Sequence, residues 1–213
     1  MPRALVGVLL CLLAAACQDP ERQRIRATSQ GKYDPQTGRL SEITYDKNKN
    51  GRVDTWVAMD GARALSARLD TDEDGKIDRW EEYGQDGKLT KAGESRAKSD
   101  KPDLWIFMAA DGTPEHIEML ELSNVTGQES IVKREFYQAG ARVRAEEDTD
   151  GDGVMDRWER YESGVLKTVE FDDGSKRDGT PTQRYTYDGR GGLASIETQP
   201  DGRGGYGKKR SLP

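Results

Sequence analysis

The stretch Asp70-Thr-Asp-Glu-Asp-Gly-Lys-Ile-Asp-Arg-Trp80-Glu-Glu-Tyr83-Gly-Gln-Asp-Gly-Lys-Leu89 decides how this chain folds. It aligns without gaps with segments running from Asp46 to Trp56 and from Asp148 to Trp158, and a weaker copy survives as Asp103-Leu104-Trp105. All four tryptophans therefore hold one place of a repeat. Three residues later comes a large side chain, Met59, Tyr83, Met108 or Tyr161, and the same register continues as Tyr33, Tyr137 and Tyr187. Successive members of this column lie 26, 24, 25, 29, 24 and 26 residues apart, and the units fill residues 33–200. Units of this length bury their apolar faces only against their neighbours.

After the aromatic column comes a turn and then a leucine, as in Tyr83-Gly-Gln-Asp-Gly-Lys-Leu89, Tyr161-Glu-Ser-Gly-Val-Leu166 and Tyr187-Asp-Gly-Arg-Gly-Gly-Leu193. Asp-Gly and Ser-Gly between apolar flanks are hairpin signals, because glycine accepts the positive φ these turns require. One pattern argues the other way. Trp80 and Tyr83 are three apart, as are Leu40 and Ile43, Leu166 and Val169, and Leu193 and Ile196. Such pairs share a face on a helix and oppose each other on a strand. Gly84, Gly87, Gly140 and Gly164 decide for strands, since they leave too few residues for a stable helix. The expected fold is all-β: tandem antiparallel hairpin repeats of about 25 residues in a single-layer sheet or solenoid, joined by Asp-rich loops. Tyr185-Thr186-Tyr187-Asp188-Gly189-Arg190 resembles the YD-type repeats of bacterial surface proteins.

Those loops carry the chemistry. Asp70, Asp72, Asp74, Gly75, Asp78 and Glu81 stand at places 1, 3, 5, 6, 9 and 12 of a loop, and Asp148, Asp150, Asp152, Gly153, Asp156 and Glu159 repeat the set. The spacing resembles the calcium loop of EF-hands. That resemblance implies alternate carboxylates converging on one ion, a backbone carbonyl at place 7 (Lys76 or Val154), and bidentate Glu81 or Glu159. The Asp46 loop is a weaker version: Asp46, Asn48, Asn50 and Asp54 hold ligand places, but Val57 stands where the glutamate belongs. Around Asp103, Asn124 and Asp178 the ligand set has decayed. The flanking helices of EF-hands are not evident, because Gly84 and Gly164 follow almost at once. Similar loops join strands in integrin-like propellers and occur serially in thrombospondin type 3 repeats. The alternative is that Asp-Gly loops are simply solvated turns. Against it, five acidic side chains within twelve residues repel one another unless a cation neutralises them.

Composition narrows the function further. Apolar residues make up 33% of the chain and charged residues 34%, with 24 glycines and a mean hydropathy of -0.91. So small an apolar fraction argues against a close-packed enzyme. His116 is the only histidine, and its place between Glu115 and Ile117 reads as a surface position. No phosphate loop, nucleophile elbow or basic patch with interleaved aromatics is present, so neither catalysis nor nucleic-acid binding is expected. Asn124-Val125-Thr126 fits a glycosylation sequon, and Lys208-Lys209-Arg210 reads as a solvated basic tail within residues 201–213.

At the other end, Met1-Pro2-Arg3 and the apolar run to Leu13 read as a signal peptide covering residues 1–16. Leu13-Ala14-Ala15-Ala16-Cys17 resembles the lipobox of bacterial lipoproteins, although Ala14 stands where leucine is usual. The resemblance implies a lipid on Cys17 and a polar tether over residues 17–32, and Gln18 in place of aspartate favours the outer membrane. Ordinary signal peptidase cleavage after Ala16, giving a secreted soluble form, stays open. The expected function is a calcium-binding, lipid-anchored cell-envelope protein with a structural or adhesive role and an envelope partner. Two rivals stand beside it: a true EF-hand regulator that opens on calcium, and a disordered acidic linker.

Overall fold

A computed structural model describes residues 28–123, 125, 127–174 and 178–212. The segment read as a signal peptide, Cys17, most of the stretch read as a tether, Asn124 and Thr126 lie outside the described residues. The rest is one open sheet of fifteen strands, in which each strand pairs antiparallel with its neighbours in sequence. The first strands are β1 (Ser29–Tyr33), β2 (Leu40–Tyr45), β3 (Thr55–Asp60), β4 (Arg63–Leu69) and β5 (Arg79–Tyr83). There follow β6 (Leu89–Glu94), β7 (Leu104–Met108), β8 (Pro114–Leu122), β9 (Glu129–Gln138) and β10 (Ala141–Glu147). Last come β11 (Arg157–Glu162), β12 (Val165–Phe171), β13 (Gln183–Tyr187), β14 (Leu193–Pro200) and β15 (Tyr206–Ser211). Among the described residues no helix is long and apolar enough to cross a membrane. The expected tandem hairpins are therefore present, and the sheet reaches past residues 33–200 at both ends. The basic tail is a strand because Lys208, Lys209 and Arg210 pair with Thr198, Glu197 and Ile196 of β14.

Turn chemistry fixes the hairpins. Ala139-Gly140 joins β9 to β10 and Ser163-Gly164 joins β11 to β12, with φ of 49° and 76°, then 51° and 76°. Positive φ at both central residues matches the right-handed twist of the flanking strands. Just after each tight turn the returning strand carries one extra residue. Tyr161 pairs with Leu166 and Arg160 with Thr168, leaving Lys167 bulged; Tyr83 pairs with Leu89 and Glu82 with Lys91, leaving Thr90 bulged. The bulge resolves the helix-like spacing of the sequence. Leu166 opposes Tyr161 and Val169 opposes Glu159, so the bulge places two residues three apart on one face of a strand. Trp80 and Tyr83 have no bulge between them and take opposite faces.

The pairing register lines the repeat up across the whole sheet. Trp56, Arg68, Trp80, Gly93, Trp105, Glu118, Arg134, Glu146 and Trp158 oppose one another strand by strand, and the row continues as Glu170, Arg184, Glu197 and Lys209. Its polar part is a charge ladder. Arg134 reaches Glu118 at 3.2 Å and Glu146 at 3.9 Å, and Arg184 reaches Glu170 at 2.6 Å and Glu197 at 3.7 Å. On the same face, one row over, Lys91, Phe107, His116, Phe136 and Arg144 form a stack. Phe107 and His116 lie 4.1 Å apart and nearly parallel, and Arg144 sits 3.9 Å above Phe136. His116 is thus a half-buried link between two phenylalanines, not a surface residue, because the strand register sets it directly opposite both rings.

The opposite face holds the core. Its central row contains Ala67, Ala92, Ala145 and Val169, all 5% exposed or less, with Glu81, Glu135 and Glu159 interleaved among them. One layer cannot bury large side chains, so small apolar residues alternate with carboxylates that must be paired. The pairing is a triad at i, i+2 and i+4. Arg79, Glu81 and Tyr83 form one set, Lys133, Glu135 and Tyr137 a second, Arg157, Glu159 and Tyr161 a third. Arg142 adds a 2.7 Å contact to Glu135 and lies 4.4 Å above the Tyr161 ring. These spans of Arg/Lys-x-Glu-x-Tyr are readable in the sequence, where only their aromatic member stands out.

Candidate metal centre

An up-and-down meander puts every second connection on the same edge, so all the Asp-rich loops line one side of the sheet. Loops in line are two strands apart, about 10 Å. Each of the two full loops is wired by its own aspartates. Asp70 accepts the Asp74 amide at 3.1 Å and the Gly75 amide at 2.9 Å. Asp148 accepts the amides of Gly151 and Gly153, both at 2.8 Å. Asp74 and Asp152 each accept the amide two residues on, at Lys76 and Val154, both at 2.9 Å. At place 9, Asp78 takes the Thr71 hydroxyl at 2.7 Å, and Asp156 likewise takes the Thr149 hydroxyl. The turn needs left-handed backbone at two places, and Gly75 and Gly153 supply it at place 6 with φ of 93° and 94°.

These bonds turn carboxylates toward one another. In the first loop Asp70, Asp72 and Asp78 each bring an oxygen within 4.8 Å of the others; in the second, Asp148, Asp150 and Asp152 do so. Both groups can hold a metal ion. Oxygens bound to one calcium at 2.3–2.6 Å lie within about 5 Å of each other, so the spread fits. The anchoring aspartates are nearly dry, Asp70 at 8% and Asp148 at 5% exposure, while Asp72 and Asp150 open to water.

Not every expected ligand joins these groups. Glu81 lies on β5, where it accepts from Arg79 and the Tyr83 hydroxyl, and Glu159 lies on β11 with Arg157 and Tyr161. In an EF-hand a helix turns place 12 back toward the ion. Here an extended strand carries it about 10 Å past place 9. The Asp46 loop keeps the wiring, with Asp46 accepting the Gly51 amide at 2.9 Å and Asp54 the Lys47 amide at 2.7 Å. Asn48 and Asn50 accept the amides of Asn50 and Arg52, so only Asp46 and Asp54 offer charge.

The degenerate loop between β6 and β7 balances its carboxylate differently. It retains left-handed residues at the corresponding places, Lys98 at 52° and Asp100 at 60°. Arg96 binds Asp103 at 2.8 Å inside this loop, a cation supplied by the chain itself. Burial raises the Asp103 carboxyl, but Arg96 and the amides of Ala97 and Arg96 outweigh it and hold the group below its ordinary value. Lys98 reaches into the neighbouring loop and pairs with Asp72. That contact lowers the Asp72 carboxyl and raises the Lys98 ammonium. Further bonds tie the line of loops together: Asn48 to Glu73, the Ile77 amide to Asp100 at 2.8 Å, and the Ser123 hydroxyl to the Gly151 carbonyl at 2.9 Å. Neither Lys98 nor this cross-linking stands out in the sequence, because neither follows the repeat.

No family model matches the chain, and no curated protein matches it. Among solved structures it is similar to accessory secretory protein 1,2 and 3 of Streptococcus pneumoniae, at 14% identity and a TM-score of 0.23, over 68% of this chain and 19% of that one. The chain thus spans about a fifth of that protein. It is also similar to a porin-like protein from Bacteroides uniformis, at 11% identity and a TM-score of 0.27, over 86% of this chain and 87% of that one. A protein with unknown function from Bacteroides fragilis matches at 8% identity and a TM-score of 0.16, over 87% and 92% of the two chains. Likeness at these levels carries no functional information.

Proposed function

We propose that this is a calcium-binding, lipid-anchored protein of the cell envelope whose role is structural or adhesive. The observation that carries the calcium reading is the convergence of Asp70, Asp72 and Asp78, and of Asp148, Asp150 and Asp152, in loops whose amides are already satisfied by the same side chains. Oxygen-only, carboxylate-rich groups suit a hard cation that tolerates irregular geometry, which is calcium rather than zinc or magnesium. Asp74 in the first loop and Asp156 in the second, with the carbonyls of Lys76 and Val154, hold the remaining ligand places from which the two shells would be completed. The loops join strands on both sides, so the reading in which calcium opens a pair of helices loses its moving part. Binding would instead stiffen one edge of a sheet that has little core of its own.

The lipid anchor rests on Cys17 and its preceding residues alone. The outer membrane and an envelope partner are part of the same proposal. Calorimetric titration of the chain from Gln18 onward tests the calcium claim. Two sites are expected, in the 10⁻⁴–10⁻³ M range of extracellular modules, and both are expected to vanish in a double Asp70→Ala and Asp148→Ala variant. A titration without heat from any site overturns it. Labelled palmitate incorporation that persists in Cys17→Ala overturns the anchor.

A further inference from the structure

The far end of the sheet has a chemistry that the calcium loops do not explain. On β15, Gly207, Lys208, Lys209, Arg210 and Ser211 are all exposed, and in the described residues no strand pairs with the outer side of β15. The Leu212 amide donates to the Ala194 carbonyl at 2.8 Å. Backbone groups alternate along a strand, so Arg210 and Lys208 also face β14 while Gly207, Lys209 and Ser211 point their N–H and C=O groups outward. That is a row of three donors and three acceptors at an open edge.

The charges on this edge break the rule kept across the rest of the row. Within the ladder each arginine sits between two carboxylates, Arg134 between Glu118 and Glu146, Arg184 between Glu170 and Glu197. Lys209 continues the alternation with Glu197 at 3.3 Å, but the position beyond it is open. On the other face Lys208 and Arg210 oppose Thr198 and Ile196, and neither makes an ion pair among the described residues. Continuing the ladder by one strand calls for carboxylates opposite Lys208, Lys209 and Arg210. Three consecutive acidic residues in extended conformation meet this demand on both faces at once.

We infer that β15 is a docking edge for an acidic, extended segment of a partner protein, which adds to the sheet as a further strand. Main-chain bonds supply the affinity and the three cations select the sequence. A second copy of this chain does not fit. Two β15 edges would set cations against cations, and β1, the other edge, offers Lys32 and no carboxylate.

Fluorescence anisotropy on the full-length protein tests this with the probe Val-Thr-Glu-Glu-Glu-Val-Thr. The expected result is saturable binding that weakens with salt, falls at least tenfold when alternate amides of the peptide are N-methylated, and is absent for Val-Thr-Lys-Lys-Lys-Val-Thr. A double Lys208→Glu and Arg210→Glu variant, with an unchanged circular dichroism spectrum, is expected to exchange the preference for the acidic probe for the lysine one. Equal binding of the N-methylated probe means simple ion attraction and overturns the inference. So do failure of the acidic probe to bind, retention of its binding by the double variant, and a concentration-dependent dimer that excludes the peptide. Because none of these readouts depends on calcium, failure here leaves the loop reading intact, and failure of the titration leaves this one intact.

Discussion

The Tyr161 hydroxyl donates to the Glu159 carboxylate two residues earlier on β11, and the same relationship links Tyr83 to Glu81 and Tyr137 to Glu135. A phenol that donates to a charged carboxylate resists losing its proton. Burial first, and then the neighbouring glutamate, push all three tyrosines up to about 12, and burial with Glu170 does the same to Tyr206. A folded pKa raised above the unfolded value of 10.0 gives stability that is complete below pH 10 and lost as pH rises toward 12. The melting temperature is therefore expected to fall steeply between those values. Ultraviolet titration of phenolate should show Glu81→Gln releasing Tyr83 toward its ordinary value. An unchanged titration curve in that variant would contradict the pairing.

Acid acts on the partner group. Burial raises the Glu135 carboxyl, but the Tyr137 hydroxyl, Arg142 and Lys133 prevail and hold it below its ordinary 4.5. A depressed carboxylate gives stability present above the unfolded pKa and lost as pH falls through the folded one. Denaturant midpoints should decline below about pH 4.5, and Glu135→Gln should flatten that decline while lowering the midpoint at neutral pH. Equal pH slopes for the two proteins would show that Glu135 contributes nothing.

Gly93 is needed for shape. It lies opposite Trp105, and a Cβ at this position would meet the indole Cζ3 at 2.6 Å. The ring has little freedom, because the Lys91 ammonium rests 3.7 Å from its centroid. Gly93→Ala is expected to cost about 1–3 kcal/mol, the range for overpacking, and to change the near-ultraviolet dichroism of tryptophan. Stability equal to the parent's would mean that the indole moves freely.

Much of this was legible in the residues, and the limits have physical causes. The repeat fixed the strands, the turns and the aromatic columns, because glycine spacing and alternation survive in every unit. The i and i+3 pairs stand against the strand reading in the sequence since a bulge changes which residues share a face without altering composition, and nothing at Lys167 or Thr90 advertises one. In the two full Asp-rich loops the first-place aspartates are legible because the loop's own amides demand an acceptor there. The twelfth place carries two readings at once. Glu81 and Glu159 keep the spacing of a ligand while serving the Arg/Lys-x-Glu-x-Tyr pattern on the sheet. The basic segment at Lys208 reads as a tail by composition, and only its pairing with β14 makes it a strand.

The fourth place of the twin loops allows a stabilising change. Glu73 holds φ at 62°, where its counterpart in the other loop is Gly151 at 74°. A left-handed conformation costs a non-glycine residue about 1–2 kcal/mol, and the water-exposed bond between Glu73 and Asn48 offsets about 0.5–1 kcal/mol of it. Glu73→Gly is expected to raise stability by roughly 0.5–1 kcal/mol. Chemical denaturation with Asn48→Ala as the control checks this, and a destabilised Glu73→Gly variant would show that the loop-to-loop bond outweighs the backbone.

The two roles of acidic residues separate in one experiment on the second loop. Asp148 holds the loop amides and belongs to the converging group, whereas Glu159 stands on β11 with Arg157 and Tyr161. Asp148→Ala should abolish calcium heat at this site and also cost about 2 kcal/mol in chelator, since charged hydrogen bonds are worth about 1.5–3 kcal/mol. Glu159→Gln should lower stability to a similar degree, because it takes the charge from the acceptor shared by Arg157 and the Tyr161 hydroxyl, leaving Arg157 with Glu147 at 2.8 Å as its one carboxylate. Its calcium affinity, however, should stay within about twofold of the parent's, which is under 0.5 kcal/mol. A tenfold loss of affinity in Glu159→Gln would instead make that glutamate a ligand, and would require β11 to release it from Tyr161 when the ion arrives.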